Sequence, residues 1–309
     1  MSFPNRFVQR ILNSLLPSRG NQVPGENYWQ YNAADTSITI HGGGLGDLMI
    51  IRQFGRAIQN YFRSQGDPEL EDIVISTGAM APAYEPVQGD LNLFWWWSFG
   101  NLDDSPERFL DDYLDRVSVR PDIILCPSET TEKEAQQAGF ETIRFPLGTY
   151  AFEPLGFDRS GIGYAGTLGH KISKKEEMML GPYRDSPNFE SVSHFRFPEE
   201  LNCWYNTKKV TLGMHKEGQK SWGMVNNRVF ETLASGTPLI LKKHDNLSNV
   251  LGFEYPYQVS SGDELRDTMQ EFRQRSDQSI RSEFNDFSRK VREQHNYRRR
   301  VDCLFREIS

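Results

Sequence analysis

The chain has 309 residues, 37% hydrophobic and 25% charged, with 35 Lys and Arg against 42 Asp and Glu for a formal net charge of -7. That length suits one large or two medium domains with a sizeable core, and the acidic balance excludes bulk attraction to nucleic acid or anionic membrane. Cys126, Cys203 and Cys303 are too sparse for a disulfide framework or a zinc pair, and no run reaches the ~18 apolar residues of a membrane span, so a reducing, cytoplasmic setting is expected.

Near the start, Phe7, Val8, Ile11, Leu12, Leu15 and Leu16 recur at helical spacing among Arg6, Arg10 and Arg19. This predicts a short helix ending near Pro17. It packs on its own domain or makes peripheral membrane contact through residues 3–16. Residues 17–35 read as a connecting loop. Ser37-Ile38-Thr39-Ile40 is β-prone and meets His41-Gly42-Gly43-Gly44-Leu45-Gly46-Asp47. Leu48, Ile51, Phe54, Ile58 and Phe62 then keep helical spacing. In a strand, glycine loop and helix of this kind, backbone N–H groups and the helix N-terminus can hold a phosphate. The loop is neither GxGxxG nor a Gly-Lys-Ser/Thr sequence. Asp47 also suits a helix cap.

Strands are predicted at residues 72–76, 91–97 and 122–126, with helices at 106–117 and 130–139, the pattern of a covered parallel sheet. Leu93-Phe94-Trp95-Trp96-Trp97 reads either as a buried strand with packing tryptophans or as an aromatic shelf, Trp96 and Trp97 receiving an acceptor at a cleft. Asp103-Asp104 and Asp111-Asp112 read as a solvated face, and no metal site is assigned.

Residues 146–158 read as a linker. A strand at 162–167 runs into Gly166-Thr167-Leu168-Gly169, followed by a helix at 173–179, a strand at 192–197, a short helix at 199–206 and a strand at 209–214. In the segment 226–241, Asn226 or Asn227 caps a helix, Gly236 stops it and Pro238 opens the next strand. Glu231 falls one turn inside that helix. A carboxylate there can accept two vicinal hydroxyls, such as a ribose diol, while the helix N-terminus faces phosphates. A last short strand is expected at 250–258 and helices at 265–272 and 280–308. Residues 281–309 hold eight Lys and Arg against five Asp and Glu, the composition of a solvated helix face rather than of a strong nucleic-acid binder. His194, His215, His244 and His295 read as surface or packing residues, and His170 as a neighbour of the Gly166 loop.

Asn227-Arg228-Val229-Phe230-Glu231 with Ala234-Ser235-Gly236-Thr237-Pro238 resembles the donor-binding signature of GT-B glycosyltransferases, closest to the "glycosyl transferases group 1" and spore-maturation-type branch. Gly163-Tyr164-Ala165-Gly166, Phe197-Pro198-Glu199-Glu200-Leu201, Trp204-Tyr205-Asn206 and a C-terminal helix with His295, Tyr297 and Arg299 flank it in order. Gly43-Gly44-Leu45-Gly46-Asp47 is similar to the first loop of starch and glycogen synthases, and Gly-Leu-Gly-Asp-Leu to the start of heptosyltransferases, where the Asp is the base.

The resemblance implies an α/β fold of two Rossmann-like domains facing across a cleft. It implies an N-terminal helix and loop (1–35), an acceptor domain (36–150), a nucleotide-sugar domain (151–290) and a C-terminal helix (291–309) returning to the first domain. Carried over, Glu231 binds the ribose. Asn226, Asn227 and the Gly44–Gly46 loop contact the diphosphate with Gly166 and Thr167, and Arg228 or Lys171 offsets its charge. Asp47 or His41 is the base. The expected donor is UDP- or GDP-linked, used without a metal or resident cofactor. Many retaining relatives carry a second Glu eight residues before the ribose Glu; Gly223 stands there. Three other readings compete: a catalytically degenerate nucleotide- or glycan-binding module, transfer onto nucleic acid bases, and a Rossmann-type epimerase or reductase.

Overall fold

The computed structural model describes residues 28–32, 37–42, 45–65, 72–77, 88–97, 110–111, 113–115, 117, 119–166, 174–193, 195, 197–215 and 217–308. The helix predicted before Pro17 lies outside them. Strands β1 (Tyr28–Asn32), β2 (Ser37–Gly42), β3 (Ile73–Thr77), β4 (Leu91–Trp95), β5 (Ile123–Cys126) and β6 (Glu141–Arg144) form a six-stranded sheet in that spatial order. All its pairings are parallel except β1 with β2. A parallel sheet is covered on both faces, so its strands read as near-continuous apolar runs; β5 is buried along its whole length. Helices α1 (Leu45–Gln65) and α2 (Glu129–Gln137) belong to this half. Ser128 caps α2: its Oγ accepts from Thr131 N at 3.3 Å, and Thr131 Oγ1 accepts from Ser128 N at 3.2 Å. Ser128→Ala is expected to lower unfolding stability by about 1 kcal/mol, read as a lower denaturant midpoint at unchanged slope.

Beyond residue 159 come β7 (Ser160–Ala165), α3 (Lys174–Arg184), β8 (Phe189–Val192), α4 (Pro198–Asn206), β9 (Lys208–Gly213), α5 (Glu217–Ser221), α6 (Asn227–Ala234), β10 (Leu239–Lys242), α7 (Leu247–Leu251) and β11 (Gln258–Val259). Helices α8 (Gly262–Gln274), α9 (Asp277–Gln294) and α10 (Tyr297–Ile308) close the chain. The second sheet is all parallel in the order β11-β10-β9-β7-β8. Numbered within its own half this is 2-1-3-4-5, a doubly wound order whose switch point lies between β7 and β9. Helix α10 crosses back to α1: Phe305 stacks on Tyr61 at 5.3 Å, and Tyr297 meets Phe54 at 5.8 Å between ring centroids.

Three expectations need correction, and β6 is an addition to them. Part of the loop read at 17–35 is β1, an edge strand held by the free side of β2. β6 is a strand that charge concealed, with Glu141 and Arg144 exposed and Ile143 buried; charged side chains are a usual property of sheet edges. The strand expected at 192–197 lies earlier, at β8, because the chain enters the sheet directly after α3, Ile162 N donating to Asn188 O at 2.8 Å. The strand expected at 250–258 is β11 alone. Its first residues belong to α7, which buries Leu247 and Leu251 one turn apart and ends at Gly252 with φ +73°, a left-handed stop that glycine adopts freely. Helix α5 was not anticipated.

Candidate active site

Ligands of doubly wound sheets settle outside the carboxyl ends of the strands at the switch point. Here that crevice is lined by Tyr164 and Ala165 at the end of β7, Gly213 and Met214 at the end of β9, and Asn226 and Arg228 at the start of α6. Asn226 stands at the N-cap position, but its side chain does not cap the helix. Its Nδ2 instead donates to Met214 O at 3.1 Å, tying α6 to β9, and its Oδ1 is buried without a partner. Arg228 is exposed and hydrogen-bonded to the Tyr164 hydroxyl. Gly166 continues β7, its N–H donating to Val192 O at 2.7 Å. Thr167, His170 and Lys171 lie outside the described residues.

Helix α6 presents Glu231 at the seam between the two halves. Asn227, one turn earlier, donates Nδ2 to Glu231 Oε1 at 3.1 Å, and Gln53 of α1 donates Nε2 to the same oxygen at 2.8 Å. Gln53 Oε1 in turn accepts from Tyr150 N at 3.0 Å. Glu231 is wholly buried, and its Oε2 has no partner. Burial pushes the carboxyl up to about 7, opposed by the Asn227 and Gln53 hydrogen bonds and the Arg228 charge. Desolvation of the charged form therefore dominates this site.

The first half contributes the carboxyl ends of its own strands. His41 is buried on β2, and its Nε2 is 2.8 Å from Ser76 Oγ, its register partner on β3. Ser76 is also hydrogen-bonded to Tyr113. His41 Nδ1 has no partner, and burial lowers the ring below its ordinary pKa, so the neutral base is the resting form near pH 7. Gly46 and Asp47 fall in the first turn of α1; Gly44 and the Asp47 side chain lie outside the description.

The tryptophans form no open shelf. Trp96 is fully buried and meets Trp222 of the second half edge to face at 5.5 Å, while Trp97 is 8% exposed and packs on Trp95. The buried-strand reading describes both as they stand. Gly223 follows Trp222 with φ +68°, a backbone region that disfavours glutamate. The turn accounts for glycine at this position.

Sequence reasoning passed over Gln53 and Trp222, and read His215 only as a surface or packing residue. Gln53 carried a signal: it stands between Met49 and Ala57 on the apolar face of α1 as the polar member of a buried stripe. His215, just past β9, is buried with neither ring nitrogen partnered, 4.4 Å from the His244 ring. Burial and the neighbouring His244 hold it well below the usual range. His244 is fully engaged, by Met224 O at 2.9 Å and Asn246 N at 3.2 Å. His295 packs against Leu251 O and Arg300. Among the described residues no three His, Cys, Asp or Glu side chains gather as metal ligands, and no helix is long and apolar enough to cross a membrane.

Two Rossmann-like halves meeting across a seam of strand ends define the GT-B glycosyltransferase fold. Three solved structures share it: sucrose-phosphate synthase from Thermosynechococcus elongatus (14% identity, TM-score 0.50, 85% of this chain and 78% of that one), a trehalose-6-phosphate synthase (12%, 0.50, 84% and 76%) and T4 phage β-glucosyltransferase (9%, 0.52, 88% and 98%). No curated protein matches by sequence. Residues 170–306 match the family described as glycosyl transferase-like. That match covers less than half of the chain, so what the comparisons show is the GT-B fold of the chain and the likeness of residues 170–306 to this family.

Proposed function

We propose that the chain transfers a sugar from a UDP- or GDP-linked donor to a hydroxyl-bearing acceptor, with Glu231 gripping the ribose of the donor. The observation that carries this is Glu231 itself, a fully buried carboxylate at the seam between the halves, on the helix whose start lines the crevice, with one oxygen doubly hydrogen-bonded and the other unpartnered. Unpaired buried acceptors are costly, and a ribose hydroxyl would relieve this one. Because Glu231 is closed off by Gln53, donor entry requires the halves to part at this seam. The first turn of α6 would face the diphosphate, with Arg228 and Lys171 as cations; His215 is a further candidate contact. Departure of the nucleoside diphosphate can then be stabilised by helix dipole and cations. In an inverting reaction the acceptor oxygen bonds the anomeric carbon as the sugar–phosphate bond breaks, and its proton passes to the base. Neutral His41 and Asp47 are the candidates.

A thermal-shift panel of nucleoside diphosphates and their sugars tests the donor. A ligand at 100 times its Kd stabilises by about 2.7 kcal/mol, or roughly 5 °C for a chain of this size. The expected result is such a shift for a uridine or guanosine nucleotide sugar and none for NAD or NADP; the reverse would reject the reading. With the donor in hand, His41→Ala and Asp47→Asn are compared in a labelled-sugar transfer assay. The variant lacking the base loses about 10²- to 10⁴-fold in kcat at an unchanged circular dichroism spectrum. Full rates in both would remove these two residues from the mechanism.

A further inference from the structure

The halves are joined by two crossings, residues 145–159 and the turn between α9 and α10, and these are zipped together. Thr149 N donates to His295 O and Tyr297 N to Thr149 O, each at 2.9 Å. Beside this zip lies a cavity of about 370 Å³, at the lower end of the roughly 300–1,000 Å³ of small-molecule pockets. Both halves wall it: Arg56 and Asn60 from α1, Tyr150 and Glu153 from the first crossing, Glu199 from α4 and Arg292 from α9.

Its charges cancel in pairs. Arg56 is bonded to Glu199, and the Arg292 guanidinium lies 3.7 Å from the Glu153 carboxylate. A charged ligand would have to break one of these pairs, whereas a neutral one leaves both intact. The cavity is not suited to an apolar occupant either. Thr149, 2% exposed, lines it with an unpartnered Oγ1, and Glu199 Oε2 is likewise buried without a partner. Burying these against hydrocarbon would forfeit their hydrogen bonds. Amide, carboxylate and guanidinium groups in the wall offer both donors and acceptors to hydroxyls. Tyr150, whose hydroxyl is bonded to Asn60, adds an aromatic ring to the wall for the C–H face of a pyranose.

We propose that this hinge cavity is a saccharide site separate from the donor crevice, taking one or two neutral hexose rings and bridging the halves. Gln53 lies between the two sites, with Tyr150 N on its oxygen and Glu231 on its amide, so an occupant of the hinge would steady the seam that closes over the donor carboxylate.

Saturation-transfer NMR on the full chain tests this with glucose and maltose as probes and with glucose 6-phosphate and inorganic phosphate as charged counterparts. Glucose or maltose should show transfer that persists under excess UDP and in Glu231→Gln. Binding should weaken at least tenfold in Thr149→Val and in Asn60→Ala, each first shown to unfold cooperatively like the parent; should one misfold, the other decides. Absence of transfer from both neutral sugars, preference for the phosphorylated probes, loss of the signal under UDP, or undiminished binding in the folded variants would each overturn the proposal.

Discussion

Glu231→Gln is expected to lower kcat/KM for the nucleotide sugar roughly 10- to 100-fold, the worth of one hydrogen bond to a charged group at about 1.5–3 kcal/mol. The protein should remain folded, because the substitution keeps shape and one acceptor oxygen at a wholly buried position. The pH dependence makes the test specific. Burial raises the Glu231 carboxyl from 4.5 to about 7, so between those values the folded state holds a proton that the unfolded chain has lost. Stability is then fully retained below about pH 4.5 and falls as pH rises to about 7, by on the order of 3 kcal/mol. Glu231→Gln has no such proton and lacks this part of the decline, so the difference between the two denaturation midpoints should grow across that window. Donor affinity runs the opposite way. A ribose hydroxyl donates more strongly to a carboxylate than to a protonated acid, so calorimetric binding of the nucleotide sugar should tighten as pH rises through about 7 in the parent and stay flat in the variant. Each phosphorus of a nucleotide sugar carries one ester and one anhydride bond, and its single acidic hydroxyl is already ionised in this range, so the change reports the protein. Equal kcat/KM and equal pH profiles in the two proteins would show that Glu231 does not touch the donor.

The parts of the fold legible beforehand are those written in local pattern. Ser37 to Phe62 announced a strand, glycine loop and helix, and Asn226 to Leu241 announced a helix, its glycine stop and a strand; β2, α1, α6 and β10 lie there. What stayed hidden depends on partners distant in sequence. Tyr28–Asn32 is a strand because β2 offers it an edge, and β6 is polar for the same edge reason. The candidate site divides in the same way. Glu231 was identifiable from its place in a capped helix, but its partner Gln53 is 178 residues away, and no periodicity within either helix pairs them. Asn226 has the residue type of a cap, yet β9 places a carbonyl within its reach and takes its amide instead. Trp96 could be read as a packing residue or as a surface for ligands, and Trp222, from the other half, covers it. Side-chain type and spacing specify which groups a helix presents; only the packing of the two halves decides what they meet.

The second large effect concerns that packing. Tyr297→Ala is expected to cost about 3–5 kcal/mol of unfolding free energy, the range for removing a large buried aromatic, against a total of about 5–15 kcal/mol for a typical protein. Tyr297 is fully buried where α10, continuing from the second half, returns to the first. Its ring meets Phe54 of α1 at 5.8 Å and the edge of Trp95 in β4 at 5.9 Å, and Trp95 and Phe54 both pack on Phe145 at the exit from β6. Truncation leaves a cavity among these rings that a sheet strand and a 21-residue helix cannot close by moving together. The backbone hydrogen bond from Tyr297 N to Thr149 O is kept in alanine, so the loss reports the ring and not the zip. Tyr297→Phe retains the ring and should stay within about 1.5 kcal/mol of the parent. Exposed Arg299, two residues on, is the control, with Arg299→Ala within about 0.5 kcal/mol. Guanidinium unfolding followed by tryptophan fluorescence reads the series, since Trp95 sits against the altered ring. A loss below about 1 kcal/mol in Tyr297→Ala would mean that the ring contributes little beyond a surface contact and that something other than α10 holds α1 to the first sheet.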